Sequence, residues 1–161
     1  MTRYNRCARA LAVCLACLAG YVDALGFLEL DGFFVSFMSG NSTRLGVGLG
    51  QWSPHAFIAA GLIATFVLGV MLGSLAGHFA KTRRRPWVLI LVAALLAVAA
   101  AMAAIGCTQA AIAAMALAMG AENAVFERDG EVCIGVIYMT GTLVKLGQRL
   151  TAVFVGGDRW S

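Results

Sequence analysis

The sequence predicts an all-α fold: a polytopic membrane helix bundle of two inverted repeats with broken or re-entrant helices, the second repeat being incomplete. Three observations predict it. Of the 161 residues, 61% are hydrophobic and 12% are charged, whereas soluble domains have about 45–50% apolar and about 25% charged residues. Four apolar runs are close to or above the roughly 20 residues that span a bilayer. Two further apolar segments, each interrupted by polar residues, resemble one another.

The placement of charge excludes other classes of protein. The net charge is +4, but seven of the twelve basic residues lie in two groups, Arg3 to Arg9 and Lys81 to Arg85, that flank apolar runs as topology-setting charges do. We therefore expect the lipid bilayer as partner and no nucleic acid. High hydrophobicity excludes disorder. The five cysteines lie mostly in or beside apolar segments, so no disulfide framework of the secreted kind is expected.

Four runs are predicted to be membrane helices: Ala10–Leu28, His55–Ala80, Trp87–Gly106 and Thr108–Phe126. The first follows an arginine-rich start and so also resembles a cleaved signal peptide, but its length and Asp23 near its end favour a retained helix. On the second run, Gly69, Gly73 and Gly77 form a G-x-x-x-G stripe that lets a neighbouring backbone approach closely. We favour packing inside the bundle; the alternative is a seam between copies in a homo-oligomer.

The two interrupted segments, Phe33–Gly50 and Ile134–Val155, indicate an internal duplication. Residues 37–46 (FMSGNSTRLG) align with residues 138–147 (YMTGTLVKLG), and residues 20–24 (GYVDA) align with residues 120–124 (GAENA). We predict a single membrane domain with repeat one at about residues 10–80, a linking helix at about 87–106 and a partial repeat two at about 108–156.

The basic groups also predict an orientation. With a cytoplasmic N-terminus, the cluster at Lys81–Arg85 returns to the cytoplasm only if Phe33–Gly50 dips into the bilayer and comes back. A full crossing is the alternative. The re-entrant arrangement makes the first and fourth runs antiparallel, as in the inverted repeats of secondary transporters.

Intramembrane polar residues are the candidate path for a solute or ion. Asp23 lies near the end of the first run, and Glu122 and Asn123 lie at the matching place in the fourth. Ionisable groups at such depth are costly and mark functional paths by default. The structural alternative is a carboxylate that reaches the interface or forms an ion pair, such as Asp23 with Arg44, or Glu122 with Lys145 or Arg149.

The interruptions themselves are the second group of candidates. Glycine permits a sharp break in the backbone, and neighbouring hydroxyl and amide groups could cap a half-helix whose free N–H groups favour an anion or substrate oxygen. A cap without a ligand is the alternative. The candidate residues are Ser39, Gly40, Asn41 and Thr43 in the first break and Thr140, Gly141 and Thr142 in the second.

No enzyme is expected from these residues. His55 and His78 lie at span edges without a clustered ligand set, and Cys14 and Cys17 form a C-x-x-C inside an apolar helix. Neither pattern supports a metal or redox centre, so no catalytic residue, metal or cofactor is assigned.

The paired motifs resemble those of the YoaK-like family of bacterial integral membrane proteins, a family of unknown function. Its pattern pairs a G-x-x-D-A helix with M-T-G-N, and later an N-A helix with T-G-T-L; here Ser39 stands in place of the usual threonine. Members of that family usually continue past the segment Gly157-Asp158-Arg159-Trp160 into another apolar helix. The resemblance therefore implies a C-terminally shortened member, and the duplication independently lacks a helix after its second motif.

These observations predict a multi-pass inner-membrane protein with a cytoplasmic N-terminus. The function we expect is that of a transporter-like protein for a small solute or ion. The alternative is a non-transporting membrane scaffold or partner subunit, supported by the glycine stripe and the sparse polar content.

Overall fold

The structure is a computed structural model that describes residues 6–80, 83–128 and 131–132. Its elements in chain order are five helices, α1 (Arg6–Glu29), α2 (Met38–Gly50), α3 (His55–Phe79), α4 (Arg84–Ala104) and α5 (Thr108–Glu122), a 3₁₀ turn (Asn123–Phe126), and two two-residue strands, β1 (Glu127–Arg128) and β2 (Glu131–Val132). The strands pair antiparallel. The predicted all-α membrane bundle is confirmed.

Four helical segments are long and apolar enough to cross a membrane: Arg6–Glu29, His55–Phe79, Arg84–Ala104 and Thr108–Phe126. They coincide with the four predicted runs, because a helix needs about 20 mainly apolar residues to cross a bilayer. The third begins three residues earlier than predicted, at Arg84. Pro86 then occupies the first helical turn, where its missing N–H leaves no hydrogen bond unmade.

α5 is the central helix of the bundle. It packs between α3 and α4 and also contacts α1. Of the Thr108–Phe126 span, 72% is buried, against 17–28% for the other three spans. Small side chains allow this, because alanine and glycine on α5 let neighbouring backbones approach without a gap.

α3 and α5 run parallel and touch through the predicted glycine stripe. A Cβ on Gly69 would meet the backbone of Leu117, and a Cβ on Gly73 would lie 2.6 Å from the carbonyl oxygen of Ala121. Gly77, the third member, faces the side chain of Arg84. All three glycines therefore contact this chain's own residues.

A groove of about 440 Å³ separates α1 from the α4–α5 hairpin. Residues from the C-terminal halves of α1 and α4 and the N-terminal half of α5 line it. α1 therefore runs antiparallel to α5, the arrangement that an inverted repeat requires. The second interrupted segment lies outside the described residues, so the inverted repeat stays a prediction.

Candidate functional site

The chain leaves α1 through a tight reversal that turns it back along the same helix. Asp31 and Gly32 adopt left-handed backbone conformations, with φ of 49° and 97°. The amide of Gly32 bonds the carbonyl of Phe27 at 2.9 Å, which closes the helix end as C-terminal glycines commonly do. Beyond this reversal, Val35 packs against Gly26, three residues before the end of α1.

Asp23 binds the returning backbone. Its Oδ1 accepts hydrogen bonds from the amides of Val35 (2.8 Å) and Ser36 (2.7 Å), and its Oδ2 accepts one from the Ser36 hydroxyl (2.6 Å). Val35 and Ser36 are buried. Buried amides without an acceptor are costly. The Asp23 carboxylate provides the hydrogen-bond acceptor that a helix or a strand would provide elsewhere.

Asn41 on α2 completes the arrangement from the other side. Its Oδ1 accepts the Phe34 amide at 3.0 Å, and its Nδ2 donates to the Phe34 carbonyl at 2.6 Å. The side-chain amide thus pairs both backbone groups of one residue, as a neighbouring strand would. We call Asp23 and Asn41 the backbone clamp. Non-helical backbone at membrane depth requires such internal satisfaction.

The ion pair between Asp23 and Arg44, the structural alternative given above, is not formed. The Arg44 guanidinium lies 4.9 Å from the centre of the Phe33 ring, and a Cβ on Gly32 would lie 2.6 Å from its Nη2. The reason is positional: the reversal at Gly32 brings the amides of Val35 and Ser36, rather than Arg44, up to Asp23.

The hydroxyl groups of the first break do not cap α2. The helix begins at Met38 with Phe37 at its N-cap and no side-chain cap hydrogen bond. Ser39 is exposed, and Thr43 donates its hydroxyl to the Ser39 carbonyl inside the helix. Gly40 lies against the Phe37 ring, where a Cβ would be 2.6 Å from Cδ1. The predicted side-chain cap is therefore not formed at this terminus.

α2 leads back to the end of α1 from which the chain departed. Asn41 lies beside Phe34, whereas Arg44, one turn later, lies beside Phe33. The His55 ring at the start of α3 also stacks on Phe33, with 5.8 Å between centroids. With 13 residues, α2 spans only about 20 Å, less than the roughly 30 Å hydrocarbon core. The path from α1 through α2 to α3 is therefore a hairpin that returns to the end of α1 from which it departs.

Glu122 closes α5 in the centre of the bundle. It is 0% exposed, and within the described residues neither carboxyl oxygen has a hydrogen-bond partner. The adjacent Asn123 donates its amide to the carbonyls of Met119 (3.0 Å) and Gly120 (3.4 Å). Arg84 reaches the same end of α5, where its Nε donates to the Ala124 carbonyl at 3.3 Å.

The other predicted site residues that the structure describes lie apart from Glu122. Thr140, Gly141 and Thr142 fall outside the described residues. Among the residues that are described, no three His, Cys, Asp or Glu side chains group closely enough to hold a metal ion. Two residues that form hydrogen bonds here were not among the predicted site residues. Ser36 was signalled only by a hydroxyl that directly follows the apolar residues Phe33 to Val35, and Arg84 was assigned only to the topology-setting charges.

Comparisons with known proteins agree with this architecture. The family model described as "Protein of unknown function (DUF1275)" matches residues 11–161. The chain is 38% identical over 159 residues to the UPF0700 transmembrane protein RA0705 of Rhizobium meliloti (strain 1021), covering 94% of this chain and 66% of that protein. The chain thus spans slightly less than two thirds of its relative. No solved structure matches. The chain belongs to the DUF1275 family of transmembrane proteins, in agreement with the YoaK-like membrane family that its motifs predicted.

Proposed function

We propose that this chain is a transporter-like protein for a small solute or ion, in which the Glu122 carboxyl binds a proton or a cation. The observation that carries the proposal is the environment of Glu122: a fully buried carboxyl without a hydrogen-bond partner in the described residues. Burial of an unneutralised carboxylate is expensive, by several kcal/mol or more. A carboxyl group in such an environment supports a role in binding a proton or a cation.

The location of Glu122 supports the same proposal. It lies in the central helix, in contact with the elements that surround it rather than with lipid. Ionisable residues inside membrane proteins face the bundle interior and mark proton or ion pathways. The hairpin between α1 and α3 adds a broken, non-helical element, which transporters of the inverted-repeat type place near their sites.

Asp23 has a different part in this proposal. Its carboxylate is occupied by two backbone amides and one hydroxyl, so it positions the hairpin rather than carrying the ion. Asn41 is likewise occupied by the backbone of Phe34. We therefore assign ion handling to Glu122 and a positioning role to the backbone clamp.

We further propose an inner-membrane location with the N-terminus in the cytoplasm and no enzymatic activity. The support for the orientation is the charge pattern: Arg6 and Arg9 begin α1, and Arg83, Arg84 and Arg85 begin α4. α1 and α4 run parallel, so both groups lie at the same end of the bundle, as the positive-inside tendency favours.

The test is proton flux in proteoliposomes that contain an internal pH-sensitive dye. A potassium diffusion potential, set with valinomycin, supplies the driving force. We expect flux with the wild-type protein and its loss in Glu122→Gln, because glutamine keeps the shape of the side chain but has no carboxyl group to bind and release a proton or a cation. Glu29→Gln removes an exposed carboxylate from α1 and serves as the matched control. Equal flux in both variants, or none in the wild type under proton, sodium and potassium gradients alike, overturns the proposal.

A solute-dependent melting screen in detergent addresses the substrate. A ligand that binds the native state raises Tm by mass action, by an amount that grows with its concentration over Kd. We expect the stabilising ligand to lose its effect in Glu122→Gln and to keep it in Glu29→Gln. If no solute or ion shifts Tm and no flux is measured, a non-transporting scaffold or partner subunit becomes the better assignment.

A further inference from the structure

The small residues that let α5 pack closely on α3 recur on α1, where they are exposed. Ala116, Gly120 and Ala124 follow at four-residue spacing from α5 into the 3₁₀ turn, and we call them the α5 stripe. The aligned positions of the first repeat, exactly 100 residues earlier, hold the identical residues. We call that set the α1 stripe: Ala16, Gly20 and Ala24.

The two stripes differ in what covers them. Ala116 is 0% exposed and Ala124 is 1% exposed. Gly120 contacts the α3 backbone: a Cβ on it would meet the Phe66 carbonyl oxygen and lie 3.0 Å from the Gly69 Cα. The α1 stripe is exposed throughout, and a Cβ on Gly20 would have nothing within 4 Å.

The opposite faces of the two helices also correspond, which shows that the stripes point in equivalent directions. The α5 residues on the side of the shared groove are Thr108, Ala111, Ile112 and Met115. Their repeat counterparts on α1 pack into the hydrophobic core: Ala8, Leu11, Ala12 and Leu15. Each helix thus turns the same repeat positions towards the interior of the bundle. The α1 stripe is therefore placed to pack against a helix, as the α5 stripe packs against α3.

We propose that the α1 stripe docks an apolar helix equivalent to α3, supplied by the part of longer family members that lies outside these 161 residues. α3 follows the first interrupted segment, and its counterpart would follow the second. The Rhizobium meliloti relative extends beyond the matched region, because this chain covers 66% of it. The docked helix lies parallel to α1, as α3 does to α5, and presents small residues four apart to Gly20. This inference does not depend on the transport function.

A second copy of this chain does not supply the same helix. The glycine face of α3 already packs against Leu117 and Ala121 of its own chain, so α3 would have to leave α5 to reach another molecule. A copy-to-copy arrangement of α1 against α1 is separated from the proposal by the test below.

The test co-expresses the full 161-residue chain with the unmatched segment of the Rhizobium meliloti relative, tagged and on a separate polypeptide. The chain recovered with the tagged segment from mild detergent is measured. We expect recovery with the wild type and a fall of about tenfold or more for Gly20→Ile, because a branched side chain blocks a close backbone approach. Gly61→Ile is the matched control, since Gly61 is also an exposed helix position with nothing within 4 Å.

The melting temperature of Gly20→Ile alone should be no lower than that of the wild type, because a Cβ on Gly20 meets no atom of the described residues within 4 Å and isoleucine favours a helix more than glycine does. A loss of recovery with unchanged melting therefore reports docking rather than folding. No recovery with the wild type, or equal recovery with Gly20→Ile, overturns the proposal. So does a Gly20-dependent homodimer trapped by a disulfide between the exposed Cys17 residues of two copies.

Discussion

Replacing Asp23 by alanine tests whether the polar motif of α1 holds the hairpin in place. Asp23→Ala removes the acceptor of two buried amides, those of Val35 and Ser36, and of one hydroxyl. Each buried N–H left without an acceptor costs about 1–3 kcal/mol. The two together predict a loss of about 2–6 kcal/mol, a large fraction of the roughly 5–15 kcal/mol that holds an ordinary domain folded.

The conservative variant should cost less. In Asp23→Asn the side-chain oxygen can still accept both amides, and the Ser36 hydroxyl can accept from the new Nδ2. Only the extra strength of hydrogen bonds to a charged acceptor disappears, worth about 1–2 kcal/mol here. The expected order of stability is therefore wild type, then Asp23→Asn, then Asp23→Ala.

The assay is thermal unfolding in detergent, measured as the fraction of the protein that stays monodisperse as the temperature rises. With about 2–4 °C of Tm for each kcal/mol in a chain of this size, Asp23→Ala should melt at least about 4 °C below wild type. Glu29→Ala, an exposed carboxylate on the same helix, is the reference and should stay within about 0.5 kcal/mol of wild type. If Asp23→Ala melts at the same temperature as Glu29→Ala, the backbone clamp does not stabilise the protein and the reasoning is refuted.

Three further predictions use the same structure. Asn41→Ala strips both backbone groups of Phe34 of their partner and should lower Tm about as much as Asp23→Ala, in the same melting assay. Gly69→Val drives a side chain into the Leu117 backbone, whereas Gly61→Val enters open space; the yield of monodisperse protein should fall only in the first. In a cysteine-free background, Arg83→Cys should react with an impermeant maleimide in inverted vesicles but not in intact cells, and the reverse pattern contradicts the proposed orientation.

The spans were predictable because they depend on composition alone. An uninterrupted apolar run near 20 residues has one low-energy placement in a bilayer, and all four predicted runs are present. The close packing of α3 was also suggested by local spacing, since the glycines recur on one helical face. What the spacing does not contain is the identity of the facing helix, which depends on how the whole bundle folds.

The partners of the polar residues were not predictable for the same reason. Charge alone suggested Arg44 for Asp23, but the reversal at Asp31 and Gly32 sets which atoms arrive. It delivers backbone amides to the carboxylate and leaves Arg44 over the Phe33 ring. A sequence pattern that places a carboxylate and an amide near a break therefore indicates that the break needs polar support, without indicating which groups receive it.

The duplication separates the structural carboxylate from the one proposed to bind an ion. In the aligned repeats Asp23 corresponds to Asn123, and both side chains bond backbone groups: Asp23 accepts from amides, and Asn123 donates to carbonyls. Glu122 corresponds to Val22, which is buried and apolar at 3% exposure. The fold therefore accepts an apolar residue at that position in one half, so support of the backbone does not explain an acid in the other. A carboxyl that the repeat does not require, fully buried and without a hydrogen-bond partner in the described residues, supports the proposed ion-binding role of Glu122.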